Sequence, residues 1–370
     1  MQWYCWSNLF CHKNHNMEVN MYNLSTQSLK PGMILYEDIY NPSNELIFKA
    51  NTHLTQENIQ TLCEYNFDQV ALAEPNEVDM PRYEHLHQHP HFQKFNAMYT
   101  LSLSTFNKLI RILDTSIDLN TSKLLTLRDD MMQTVVNGEQ LIDYLYNMMP
   151  DENEITYNHC FNCGLLCYIF GTWIGLEAED LDNLTIAGFL FDVGKTKISD
   201  ELLWKPDKLT PEEFIQMQHH IHLGYDLLKG RSFPPHTVSV MIMHHERCDG
   251  SGYPARIKED RIDPFALIAA IADTYEAMTH PRSHRAALTP FQAIRVFEEQ
   301  GFEVKYGKNI RPIMTRIANM YLQRRVCVTG NMEGRIIEIH EDALSRPTVF
   351  ISNVEYDLRT RQGAEIIRML

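Results

Sequence analysis

A mainly helical protein is predicted, with a helical bundle flanked by a small N-terminal α/β unit and a small C-terminal β unit. Three observations predict it. Apolar residues recur at three- and four-residue steps through NAMYTLSLSTFNKLIRILDTSI and LRDDMMQTVVNGEQLIDYLYNMM, and helical patterning continues to about residue 325. Ahead of these helices, residues 22–74 mix strand-like alternation with one short capped helix. Behind them, residues 326–370 change character and read as β structure. A chain of 370 residues also exceeds the usual size of one domain.

Taken in order, residues 1–21 are expected to be disordered, and Met17 and Met21 are alternative starts. In the unit that follows, LKPGMILYEDIY gives a turn and then a strand, ELIFKANTHL a second strand and DQVALAE another. Thr55 is the expected cap of a helix through Ile59, Leu62 and Cys63. Residues 75–95 are polar, contain three prolines and read as a linker. His85, His87, His89 and His91 alternate within it, but alternation on a linker fixes no metal geometry. The bundle is assigned to 96–325, and its leading helices, to residue 150, make a core or a homodimer seam. At the end, RVCVTGNMEGRIIEIHE reads as a hairpin around Gly330 to Gly334, and RPTVFISNVEYDL as one further strand.

Composition narrows the function classes. With 44% hydrophobic and 22% charged residues the chain has material for a core. A formal charge of −15 argues against a nucleic-acid polymer as partner, while a small phosphorylated ligand held by local cations stays open. No apolar run approaches the roughly 18–20 residues that span a bilayer, and the start lacks the charged and apolar regions of a signal peptide. Eight cysteines without a regular framework point to a reducing compartment, so the expected location is the cytoplasm. Cys160, Cys163 and Cys167 share one helical face and are read as core rather than as a zinc or redox site.

The chemistry is concentrated between residues 154 and 273. His159 sits in the amphipathic TYNHCFNCGLL, and Asp192 ends the apolar LTIAGFLFDVGK, where a buried carboxylate is costly without a cation or donors. His220 lies in MQHHIHLGYDLL, His244 and His245 close the apolar run VSVMIM, and Asp273 interrupts ALIAAIADTYEAM. Each alone has an ordinary reading as a satisfied core residue. Together, imidazoles and two apolar-flanked carboxylates suit manganese, iron or zinc better than calcium or magnesium. A carboxylate bridging two such ions would suit phosphoester cleavage.

These residues resemble a known family. HHERCDGSGYP (244–254) matches the HD-GYP signature HHExxDGxGYP, IAAIADTYEAMTHPRSHRAALTPFQAI is similar to the segment that follows it, and TYNHC resembles the entry histidine. The resemblance covers about residues 135–310. It implies a helical bacterial signalling phosphodiesterase that binds two, sometimes three, iron or manganese ions and converts cyclic di-GMP to pGpG or GMP. Position by position it implies His159, Asp192, His220, His244, His245 and Asp273 as metal ligands, with Asp192 as the bridge. Asp192 and Lys195 are the implied catalytic pair, and Lys195, Arg282 and Arg285 hold phosphate or guanine. Gly252, Tyr253 and Pro254 form a pocket wall at which a signalling protein docks.

The chain departs from the family pattern at Phe191, where the histidine of the HD dyad is expected. A phenyl ring cannot coordinate a metal. In the family's arrangement the lost imidazole shares one ion with His159, Asp192 and Asp273, so two ions, or only one, are expected. Glu154, His219 and His222 are the candidates to compensate. Ile155 stands where three-metal members carry glutamate, which argues against a third ion, and His284 replaces a common aromatic between the arginines. The implied chemistry is attack on phosphorus by a hydroxide held between the metals, with Lys195 offsetting charge. Two alternatives are a protein that binds cyclic di-GMP without hydrolysis and a hydrolase of another phosphoester. The first hundred residues carry no receiver-type acidic cluster, so no input signal is assigned.

Overall fold

The computed structural model describes residues 21–29, 33, 35–41, 46–49, 52, 54–73, 86–115, 118–148, 154–203, 205, 209–280 and 287–370. The expected N-terminal disorder, apart from Met21, therefore lies outside the described residues, as do His85, Arg282, His284 and Arg285. The chain divides into two units, residues 1–81 and 82–370.

In the first unit Met21 opens a strand, β1 (Met21–Ser25). After it come β2 (Ile39–Tyr40), β3 (Leu46–Phe48), α1 (Gln56–Glu64) and β4 (Gln69–Ala73). β1 pairs antiparallel with β4, Leu24 opposite Val70, and β2 pairs with β3. Thr55 caps α1 as its sequence indicates: its hydroxyl accepts from the Asn58 N–H, and the Asn58 side chain accepts from the Thr55 N–H. Ile59 and Leu62 face inward from α1, and Leu24, Leu35, Val70 and Leu72 are buried with them.

The second unit begins its helices with α2 (Pro90–Arg111), so residues 90–95, read as linker, are helical. Proline suits the first helical position, where its missing N–H has no partner to lose, and Phe92 and Phe95 are already buried. Next come α3 (Thr121–Met132), α4 (Gly138–Tyr146), α5 (Ile155–Trp173), α6 (Ala178–Leu190), α7 (Asp200–Leu203) and α8 (Pro211–Gln218). They are followed by α9 (His220–Leu228), α10 (Thr237–Met243), α11 (Pro264–Thr279), α12 (Pro290–Gln300), α13 (Phe302–Tyr306) and α14 (Ile310–Met320). Thr210, Asp263 and Thr289 each cap a helix that starts with proline, which fixes where α8, α11 and α12 begin. α5 and α11 are buried on nearly every face, α5 packing along α6 and against α11. Cys160, Cys163 and Cys167 are free thiols inside this core. Among the described residues no helix is long and apolar enough to cross a membrane.

The C-terminal residues form one antiparallel sheet of β5 (Arg325–Val328), β6 (Met332–His340), β7 (Ala343–Ile351), β8 (Val354–Asp357) and β9 (Ile366–Met369), in the order β8-β7-β6-β5-β9. The stretch expected to be one strand is a hairpin, because Ser352 and Asn353 take φ of 49° and 64° and make a two-residue turn. β9 had no counterpart in the sequence reading. Val326, Ile336, Leu344, Val349 and Ile366 join the helical core, so the sheet belongs to the same unit as the bundle.

Candidate metal centre

The centre is assembled from the ends and middles of five segments. α6 terminates at Leu190, and the chain tightens into a 3-10 turn (Val193–Lys197) directly after Asp192. That turn crosses α9 at backbone contact: a Cβ on Gly194 would lie 1.9 Å from the His220 carbonyl oxygen and 2.5 Å from the Gly224 nitrogen. Glycine at 194 therefore sets the Asp192 carboxylate, which is wholly buried, beside His220 at the start of α9. His244 and His245 follow the last turn of α10, His159 projects from α5, and Asp273 from α11.

Two overlapping donor clusters result. Donor atoms of Asp192, His220, His244 and His245 lie within 4.8 Å of one another, as do those of His159, Asp192 and Asp273. The carboxylate of Asp192 is shared between them by its two oxygens. Its Oδ1 is 3.3 Å from His220 Nε2 and 3.8 Å from His244 Nε2, while Oδ2 is 3.4 Å from His159 Nε2 and contacts the Lys195 ammonium. Asp273 lies 3.1 Å from His159 Nε2 through Oδ1 and 3.9 Å from His245 Nδ1 through Oδ2.

The imidazoles are oriented from behind. His220 Nδ1 is 2.7 Å from the Met217 carbonyl and His244 Nδ1 is 2.9 Å from the Met241 carbonyl, contacts in which the ring N–H donates. Each ring thereby presents Nε2 as a lone pair, the form a metal requires. Burial lowers the pKa of all three clustered imidazoles, His244 to about 4, and keeps them neutral near pH 7. The buried His220 Nε2, His244 Nε2 and Asp192 Oδ1 have no hydrogen-bond partner in the protein, although leaving a buried polar atom unsatisfied costs about 1–3 kcal/mol. Three unsatisfied donor atoms aimed at one point fit a divalent cation. His159 behaves differently: burial lowers its pKa, but Cys163, Glu276, Asp192 and Asp273 around it carry it well above its ordinary value. Burial likewise opposes ionisation of Asp192, yet Lys195 and the surrounding imidazoles hold its carboxyl well below the usual range.

Phe191 is buried where the dyad imidazole is expected, its ring edge-on to His244 at 4.7 Å and to His159 at 5.8 Å. The candidate replacements do not reach the two clusters. Glu154 is bonded to Asn107, and among the described residues neither Glu154, His219 nor His222 belongs to any donor cluster. A third cluster, His159 with Cys163 and Glu276, lies on the other side of the His159 ring. There Nδ1 is already committed to Glu276 Oε2 at 2.5 Å.

The signature loop is built around Glu246, whose role sequence reasoning missed. Its buried carboxylate accepts from the N–H groups of Ala255 (2.6 Å), Arg256 (3.0 Å) and Ile257 (3.2 Å) and so folds the loop back on itself. Gly252 is required by crowding, since a Cβ there would be 2.4 Å from the His245 carbonyl oxygen. Tyr253 stacks on His245 with centroids 4.5 Å apart and meets Phe214 of α8 edge-on, and Pro254 is exposed beside it. Lys195, with a side chain 20% exposed, is a cation at the edge of the cage. Glu276 and Asn162 were also missed. Both sit one turn after a candidate ligand on the same helix, a spacing visible in DTYE and HCFN once the ligands are known.

Comparison with known proteins agrees with this geometry. The family model described as "HD domain" matches residues 144–310. The chain is 33% identical over 157 residues to a cyclic di-GMP phosphodiesterase of Thermotoga maritima, covering 42% of this chain and 43% of that protein. It is 33% identical over 187 residues to 3'3'-cGAMP-specific phosphodiesterase 2 of Vibrio cholerae (50% and 35%). A cyclic di-GMP phosphodiesterase of Pseudomonas aeruginosa is 30% identical over 182 residues (49% and 44%). The match thus spans less than half the length of each of these relatives. A solved structure of an HDG"Y"P protein from Bdellovibrio bacteriovorus overlays at a TM-score of 0.49 with 12% identity, covering 80% of this chain and 99% of that one, too loosely to fix any detail here.

Proposed function

Because this chain belongs to the HD-GYP family, we propose that it is a metal-dependent phosphodiesterase that opens cyclic di-GMP to pGpG and GMP. The observation that most supports the reading is the convergence of neutral His220, His244 and His245 with ionised Asp192, three of whose donor atoms have no other partner. Asp192, His220, His244 and His245 would hold one ion, and His159, Asp192 and Asp273 a second with one ligand fewer. A mixed imidazole and carboxylate set suits iron or manganese. Ions bound there supply Lewis-acid charge to a phosphoryl oxygen and acidify water.

The remaining work falls to the chain. Asp192 divides its oxygens between the two clusters and fixes their spacing. Lys195 places an ammonium at the rim, against which phosphate charge builds during cleavage. Tyr253, stacked on His245, presents an aromatic face beside the cage, while Glu246 keeps its loop in place. Arg282 and Arg285 are proposed to grip phosphate or guanine.

A second reading, binding of the cyclic dinucleotide without turnover, is favoured by Phe191. If its ring withdraws about 3–4 kcal/mol of transition-state stabilisation, turnover falls about 10²–10³-fold while binding persists. The test is to load the full chain with manganese or ferrous iron, count metals, and follow conversion of cyclic di-GMP and of 3'3'-cGAMP in the parent and in Phe191→His. Conversion of cyclic di-GMP by the parent supports the enzyme. Binding without conversion, with activity gained in Phe191→His, supports the receptor. Preference for 3'3'-cGAMP would reassign the substrate, and neither binding nor conversion of either dinucleotide would overturn both readings.

A further inference from the structure

Beyond the ligands, a buried line of polar side chains runs from the leading helix of the second unit to the metal centre. Tyr99 of α2 donates its hydroxyl proton to Asn162 Oδ1 at 2.8 Å. Asn162 of α5 donates from Nδ2 to Glu276 Oε1 at 2.9 Å, and Glu276 Oε2 lies 2.5 Å from His159 Nδ1. Tyr99, Asn162, Glu276 and His159 are 4%, 1%, 4% and 4% exposed, so solvent does not compete for these bonds. No sequence spacing links Tyr99 to the rest, since 63 residues separate it from Asn162.

The chemistry of each group fixes the direction of the line. An ionised carboxylate only accepts, so Glu276 must receive a proton from each side. Asn162 therefore turns its amino group to Glu276 and its oxygen to Tyr99, and Tyr99 can only donate. On the other side His159 gives the Nδ1 proton to Glu276, which leaves Nε2 aimed at Asp192 Oδ2 and Asp273 Oδ1. Reversing any one bond would set two donors or two acceptors face to face.

We propose that Tyr99, Asn162 and Glu276 are positioning residues that lock His159 into the Nδ1-protonated tautomer and the ring angle with which it serves as a metal ligand. The inference rests on the reading of His159 as a ligand and deepens it. Phe191 gives this side of the centre one imidazole fewer, so the ion there depends more heavily on a well-aimed His159. Partners behind a ligating histidine are typically worth 10–100-fold in metal affinity.

The test uses the full chain and manganese alone, with bound metal measured against free metal in the parent and in Phe191→His. The His159-side ion is identified as the one abolished by His159→Ala. Asn162→Ala should weaken that ion about 10–100-fold while the ion bound by His220, His244 and His245 keeps its affinity and reports that the protein is folded. Tyr99→Phe, which removes one oxygen, should act in the same direction and more weakly. Its effect should be absent in a Glu276→Gln background, because the line is already broken there. Equal affinities for the His159-side ion in the parent and Asn162→Ala would overturn the proposal. So would the absence of any His159-dependent ion even in Phe191→His. Failure of the parent to bind manganese at all would instead remove the metal-centre reading on which the proposal stands.

Discussion

At the level of single residues, the ligand set could be picked out from the chain because histidine and aspartate stand out against apolar helices. Asp192 is the clearest case: an ionisable group at the end of LTIAGFLF signals that something pays for its burial, and the structure puts Lys195 and three imidazoles around it. The supporting carboxylates were harder to see. Glu246 lies inside the recognised signature and Glu276 inside ADTYEAM, but what each does depends on groups that meet it only in the fold. Glu246 is the sharper test, since its carboxylate takes three backbone N–H bonds. Glu246→Ala strands those donors and should lower unfolding stability by about 1–3 kcal/mol, read by urea denaturation. Dinucleotide affinity should fall with it, because Tyr253 is carried by the same loop. Unchanged stability in the variant would mean that the loop is held by other contacts.

At the level of elements, capping chemistry was readable and contact across the fold was not. Thr55 and its helix lie where their residue types place them, whereas Pro90 was taken for linker punctuation when it is the first residue of α2. The same polar, proline-bearing composition serves both purposes, and only the burial of Phe92 and Phe95 separates them. The crossing of the 3-10 turn over α9 left one trace in the sequence, a glycine two residues after Asp192. Gly194→Ala must push His220 away from Asp192, since the added carbon would sit 1.9 Å from the His220 carbonyl. Overpacking of this kind typically costs about 1–3 kcal/mol, and the metal held by His220 should bind more weakly in parallel. Calorimetry and metal titration on one preparation check both. Retention of parental metal affinity would show that Asp192 and His220 need not be held this closely.

For the whole molecule, a change of composition suggested three pieces where the structure has two. The C-terminal strands read as a separate unit because their periodicity differs, yet Val326, Ile336, Leu344 and Ile366 complete the core beneath α12 and α14. Ending the chain at residue 325 should therefore yield insoluble or partly unfolded protein, whereas residues 82–370 alone should unfold cooperatively and bind metal as the full chain does. Circular dichroism melts of the two truncations distinguish these outcomes, and a stable 1–325 fragment would contradict the shared core. The most direct measurement on the protein as a whole is its manganese content after equilibration and desalting, in the parent and in His220→Ala and His244→Ala. At least one tightly held ion per parent chain, lost from both variants while their melting stays cooperative, is the predicted result. A metal-free parent, or the same content in all three proteins, would contradict it.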